Sequence, residues 1–66
     1  MPFVTVKILK GRDLEAKREL VRKVTDAVCE AIDLKPETVT VVIEEYERDD
    51  WAVGGRLFSD RKPSSY

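Results

Sequence analysis

The chain is predicted to be α+β: a β-α-β unit with parallel strands and a C-terminal β-hairpin, assembling into a multi-subunit sheet-and-helix oligomer. Three observations predict it. Two alternating apolar stretches flank one long segment of helical periodicity, so the strands must be joined by a right-handed crossover and run parallel. A glycine pair, Gly54-Gly55, interrupts the last apolar run, as tight hairpins require. Finally, 66 residues form one thin domain, spanning 1–66, in which one helix can cover only one face of a two-stranded sheet. The other face and both edges are left for further copies, and a monomer is the least expected state.

The first strand is Phe3 to Leu9. Val4, Val6 and Ile8 point one way, and Phe3, Thr5, Lys7 and Leu9 the other. Both faces carry apolar side chains, so the strand is expected to be covered on both sides. Lys10-Gly11-Arg12 breaks it, and Asp13 is placed to cap a helix N-terminus. From Leu14 to about Asp33, Leu14, Leu20, Val21, Val24, Ala27, Val28, Ala31 and Ile32 recur at helical spacing and form one stripe. Glu15, Glu19, Arg22, Lys23, Asp26 and Glu30 form a solvated opposite face, with Glu19 and Lys23 spaced as a favourable pair. Pro36 stops the helix near Leu34-Lys35, because proline disfavours helical backbone in the residue before it. Pro36-Glu37-Thr38 is a turn. Val39 to Tyr46 is the second strand, with Val39, Val41 and Ile43 on one face and Thr40, Val42, Glu44 and Tyr46 on the other. Glu47 to Asp50 connects to a hairpin from Trp51 to Phe58. The tail from Ser59 to Tyr66 has no strong pattern and is expected to be mobile or laid on a neighbouring subunit.

Composition narrows the function. A single cysteine rules out an internal disulfide framework, and without histidine or a cysteine cluster there is no zinc site. No cofactor is expected. Oligomerisation is the remaining staple for so small a core. Acidic residues number 13 and basic residues 12, which argues against a nucleic-acid partner. No charged leader precedes an apolar run, and nothing approaches the about 18 apolar residues of a membrane span. A cytoplasmic, soluble protein with no membrane partner is expected. Cys29 lies at the edge of the helical stripe, and with no histidine to activate it, it reads as a packing residue.

The chemistry-bearing stretch is Met1 through Arg12. A small second residue permits trimming of Met1, and the product begins with the secondary amine of Pro2. An ordinary α-amino group titrates near ~7.7–8.0. Apolar surroundings or a nearby cation lower that value towards neutrality, where a general base works best. Proline is also what an edge strand tolerates at its start, so the residue alone leaves both readings open. With Met1 attached, the Pro2 nitrogen is a tertiary amide with no useful basicity.

Met1-Pro2-Phe3-Val4-Thr5-Val6, Leu9-Lys10-Gly11-Arg12 and Glu15-Ala16-Lys17-Arg18-Glu19-Leu20 together resemble the 4-oxalocrotonate tautomerase family. Val41-Val42-Ile43-Glu44-Glu45-Tyr46 and Trp51-Ala52-Val53-Gly54-Gly55 fit the same family in the same order. The resemblance runs from Pro2 to about Asp60. It implies homohexamers built as trimers of dimers, and cofactor-free proton transfer by Pro2 on a small enol acid such as a 2-hydroxy-dienoate or an enol-pyruvate. It also implies that Arg12 binds a substrate carboxylate, commonly from an adjacent subunit, and that Trp51 walls the pocket beside the proline. A hairpin-anchoring role for Trp51 is the alternative, and the two are compatible. One departure matters: where the best-known members carry a second arginine, this chain has Thr40, which supplies a hydroxyl and no charge. Arg56, after the glycine pair, could compensate or be a solvated hairpin arginine. The departure predicts weaker handling of dicarboxylates and a tilt towards mono-anionic enols. Two alternatives stay open: a non-catalytic oligomeric or small-acid-binding module, and a hydratase-type dehalogenase or decarboxylase using Glu44 or Glu45 to activate water.

Overall fold

The computed structural model of the chain describes residues 1–61. Strand β1 (Phe3–Leu9) leads into helix α1 (Leu14–Ile32), which returns the chain to strand β2 (Thr40–Tyr46) beside β1. A hairpin of β3 (Ala52–Val53) and β4 (Arg56–Leu57) comes next. Single turns of 3₁₀-helix at Pro36–Thr38, Arg48–Asp50 and Phe58–Asp60 make the connections.

The two long strands are parallel and in register from Phe3↔Thr40 to Leu9↔Tyr46. The ladder runs one bond further at each end, Thr40 N–H donating to Pro2 O (3.1 Å) and Lys10 N–H to Tyr46 O (2.9 Å). Strand β2 starts one residue later than the alternation predicts. Val39 N–H closes the preceding turn on Pro36 O (3.1 Å), which removes it from the ladder.

The helix begins as its residues dictate. Asp13 is extended, and its carboxylate accepts from Ala16 N–H (2.8 Å), satisfying a donor with no partner inside the helix. At the other end Asp33 adopts the left-handed conformation (φ 56°) and its N–H bonds back to Cys29 O. Aspartate tolerates that region better than most non-glycine residues. In the hairpin, Gly54 and Gly55 take φ of 63° and 79°, the pair of positive values a two-residue type I′ turn needs.

Helix α1 lies on the face that carries Val4, Val6, Ile8, Val41 and Ile43, all half-buried. Glu45 also falls on this face and is held by Lys17 Nζ from the helix (2.8 Å). The expectation that β1 is covered on both sides is not met within the protomer, because the chain has one helix and no second layer. Phe3, on the open face, stays 67% exposed. Leu14, Ala27, Ala31 and Ile32, all assigned to the apolar stripe, are exposed as well, and the half-buried part of the stripe is Leu20, Val21, Val24 and Val28. At the two ends length accounts for it, since a 19-residue helix spans about 28 Å and a 7-residue strand about 23 Å, so the helix ends overhang the sheet.

Of the patternless tail, Ser59 to Arg61 are among the described residues. Phe58–Asp60 form a turn, and Arg61 lays its guanidinium 4.7 Å from the Phe58 ring centroid and donates to Val53 O (3.3 Å). The rest of the tail, residues 62–66, lies outside the described residues. Among the described residues none is buried. The accessible surface is 5149 Å², where a compact monomer of this length exposes about 4300 Å². The radius of gyration, 14.8 Å, exceeds the about 11 Å of a compact domain. The fold is a half-finished sandwich.

Candidate active site

Pro2 stands immediately outside β1. Its carbonyl accepts from Thr40 N–H, which fixes the residue against the start of β2, and the side chain is half-buried. Met1 beyond it is 95% exposed. The Phe3↔Thr40 register places Thr40 beside Pro2, as the closest strand neighbour of the proline end.

The other predicted residues lie at the opposite end of the sheet. Arg12 comes after β1 and Gly11, whose φ of 129° is closed to ordinary side chains and turns the chain towards the helix. Among the described residues the Arg12 side chain makes no ion pair and no hydrogen bond, in contrast to the engaged cations around it. Lys10 pairs with Glu47 (2.8 Å), Arg22 with Glu19 (2.7 Å), and Lys17 with Glu45. The Glu47 contact holds the Lys10 ammonium above its ordinary pKa, first by hydrogen bonding and then by charge. Arg12 stands between two recesses. One, of about 290 Å³, is lined by Ile8, Ala16, Lys17 and Leu20. The other, of about 320 Å³, is lined by Leu9, Lys10, Arg48 and Phe58.

Trp51 is half-buried between two rings, edge-on to Tyr46 (centroids 6.0 Å apart) and tilted against Phe58 (6.2 Å). Phe58 N–H donates to Trp51 O (2.8 Å). In the protomer it therefore anchors the hairpin. Its free side borders a shallow recess of about 240 Å³ shared with Lys7, Tyr46, Asp50 and Ala52. Arg56 is exposed on the hairpin, donating to Asp60 O (3.2 Å), and lines neither of the Arg12 recesses.

Glu44 and Glu45, the residues a water-activating reading needs, are both occupied. Glu44 accepts from Tyr46 Oη (2.8 Å), a bond that raises the Tyr46 pKa, with burial adding to it, and Glu45 holds Lys17.

The structure thus brings Thr40 to Pro2, while Arg12, Trp51 and Arg56 lie beyond the other end of the strands and, among the described residues, share no recess. It does not bring the two groups together. Strand β1 alone separates them by more than ~20 Å. Two residues at the arginine end, Lys10 and Arg48, are absent from the sequence-based set. A signal for them exists: two parallel strands in register end at the same edge of the sheet, so the segments leaving Leu9 and Tyr46 must meet there.

Comparison with known proteins gives this geometry its context. Residues 2–61 match the family model for tautomerase enzymes. A 2-hydroxymuconate tautomerase of Bacillus subtilis is 52% identical over 60 residues, covering 91% of this chain and 97% of the relative. A probable tautomerase of Halalkalibacterium halodurans is 51% identical over 61 residues, covering 92% and 100%. Among solved structures, YwhB, a homologue of 4-oxalocrotonate tautomerase, superposes with a TM-score of 0.88 at 49% identity, over 92% of this chain and 100% of that one. A heterohexamer 4-oxalocrotonate tautomerase from Chloroflexus aurantiacus has a subunit that superposes with a TM-score of 0.89 at 31% identity, over 94% and 100%. With the β-α-β order and the hairpin matching along nearly the whole length, the chain belongs to the tautomerase family and is, by that membership, an isomerase.

Proposed function

We propose that the chain is a cofactor-independent tautomerase of small enol acids, with Pro2, freed by removal of Met1, as the general base. The observation that carries this reading is the placement of Pro2. Its carbonyl is tied into the sheet ladder by Thr40 N–H, while its nitrogen lies outside that ladder, next to a Met1 that is 95% exposed. The free imino nitrogen takes a proton from a 2-hydroxy-dienoate or enol-pyruvate-type acid and returns it to another carbon, giving the keto isomer. No redox change and no external reactant is involved. Arg12, a cation with no carboxylate of its own among the described residues, anchors the substrate carboxylate by a charge-assisted bond. Trp51 supplies an apolar wall that keeps water out and the amine neutral. Thr40 donates a hydroxyl near the proline. Arg56 is kept only as a rim residue, given its place on the exposed hairpin.

Because Pro2 and Arg12 lie at opposite ends of one strand, a working site draws them from different copies. We read the assembly as a homohexamer, and a hexameric relative and the uncovered sheet face support that. The test is Pro2→Ala, confirmed by intact mass to lack Met1 and by sizing to remain assembled. Its isomerisation of 2-hydroxymuconate and phenylenolpyruvate is expected to fall at least ~100-fold, the contribution of a positioned base. Unchanged rates would reject the proline base and leave a binding module.

A further inference from the structure

We infer that Tyr46 is a positioning residue of this site: clamped by Glu44, its ring sets the angle of the Trp51 indole and so the wall that Trp51 presents to substrate. The inference rests on the proposed tautomerase reading for the role of the wall, and on the packing around Trp51 for the role of Tyr46.

The indole has no polar tether. Trp51 O accepts from Phe58 N–H (2.8 Å), which fixes the backbone, but among the described residues Nε1 makes no hydrogen bond. Ring packing is what orients the side chain. Tyr46 meets it edge-on, with centroids 6.0 Å apart and planes at 66°, and Phe58 is tilted at 54° with centroids 6.2 Å apart. Aromatic pairs favour such angles because the electropositive edge of one ring meets the electronegative face of the other. A contact of this kind holds an angle only when the supporting ring is itself held.

Tyr46 is held from backbone to hydroxyl. It closes the strand ladder opposite Leu9, and its carbonyl accepts from Lys10 N–H (2.9 Å). At the tip of the ring, Oη donates to Glu44 Oε1 (2.8 Å), in a partly buried bond between residues on one face of β2. A bond to a carboxylate is stronger than one between neutral groups. Glu45 turns to the helix and holds Lys17, which leaves Glu44 on the face of the phenol. Trp51 follows the turn at Arg48–Asp50 and is steadied against this fixed ring. The two side chains border the same recess of about 240 Å³, with Lys7, Asp50 and Ala52 around it. An indole free to turn opens that side to water and must be ordered when a ligand arrives, whereas a fixed one is preorganised.

Trp51 is the only tryptophan of the chain, so its emission reads the indole separately from the chemistry. The test compares wild type with Tyr46→Leu, which removes the ring, and Tyr46→Phe, which keeps the ring and removes the bond. Glu44→Ala and Glu44→Gln complete the set, the amide of the latter still able to accept from the phenol. Each protein is verified as assembled. Acrylamide quenching of Trp51 is expected to rise most in Tyr46→Leu, less in Tyr46→Phe and Glu44→Ala, and to return to the wild-type value in Glu44→Gln. On phenylenolpyruvate, kcat/KM is expected to fall in the same order, about tenfold in Tyr46→Leu, with Glu44→Gln restored. Quenching unaltered in both Tyr46 variants overturns the inference, as does altered quenching with kcat/KM unchanged within about twofold. If Tyr46→Leu fails to assemble, equal quenching in Glu44→Ala and Glu44→Gln overturns the clamp. Titration with 3-phenylpropanoate, which cannot tautomerise, is expected to change Trp51 emission saturably in wild type and to show about tenfold weaker affinity in Tyr46→Leu. Wild-type emission indifferent to that acid overturns the inference. A wild type that binds it, with the affinity lost in Tyr46→Leu, but isomerises neither phenylenolpyruvate nor 2-hydroxymuconate rejects the proline base and keeps the role of Tyr46.

Discussion

At the scale of single residues, position in the ladder decides what each side chain can do. Tyr46 pairs with Leu9 of β1 and shares its face with Glu44 two residues earlier, since strand side chains alternate. The phenol donates to the Glu44 carboxylate at 2.8 Å and packs edge-on against Trp51, so one bond fixes the ring that steadies the proposed wall of the site. That bond raises the Tyr46 pKa because ionising the phenol would abolish the donor and set two negative charges side by side. The stabilisation is therefore present below the ordinary tyrosine value of 10.0 and is lost as pH rises through the higher folded value. In a Tyr66→Phe background, which leaves Tyr46 as the lone tyrosine, ultraviolet titration should place phenolate formation above 10.0. Glu44→Ala should move the midpoint back down. A midpoint indifferent to Glu44→Ala would contradict the hydrogen bond.

At the scale of elements, the helix is specified by its ends as much as by its stripe. The Asp13 carboxylate satisfies Ala16 N–H in an exposed position, with no competing partner described. Asp13→Ala should therefore cost about 1 kcal/mol per protomer, whereas Asp13→Asn should retain most of the cap. Urea unfolding of all three proteins at one fixed concentration would measure the difference, and equal midpoints for Ala and wild type would remove Asp13 from the account. Such local rules made the helix, both strands and the glycine turn legible in the residues. They were less able to place Val39, which alternates correctly but gives its N–H to Pro36 O. Nor did they reveal that Leu14 and Ile32 overhang the sheet, because period says which side a residue faces and nothing about how far the partner surface extends. Of the candidate site, Pro2 stands out in the sequence by residue type and Arg12 by the family resemblance, and their separation along β1 becomes visible only in the fold. That Arg48 lines a recess with Arg12 was not legible, since an arginine in a polar connection is unremarkable until strand register brings the two segments together.

At the scale of the whole molecule, the surface left over after folding sets the terms. A chain with no buried residue among those described, and about a fifth more surface than a compact monomer of its length, has not removed enough apolar area from water to offset the entropy of ordering its backbone. Phe3 on the open face and Leu14 and Ile32 at the helix ends find no cover among the described residues; further copies would supply it, and in the proposed assembly the same contacts carry Arg12 of one copy to Pro2 of another. Folding and assembly should then be one equilibrium, so stability depends on concentration. For a hexamer that unfolds to separate chains, each tenfold dilution removes about 1 kcal/mol per protomer. For a domain of this size that corresponds to a fall in Tm of about 4–8 °C. Scans over a hundredfold range of protein concentration, with activity followed in parallel, would show Tm and specific activity declining together. A Tm that stays constant across that range would mean that the lone protomer is stable, and a site divided between the two ends of β1 would then have no means of closing.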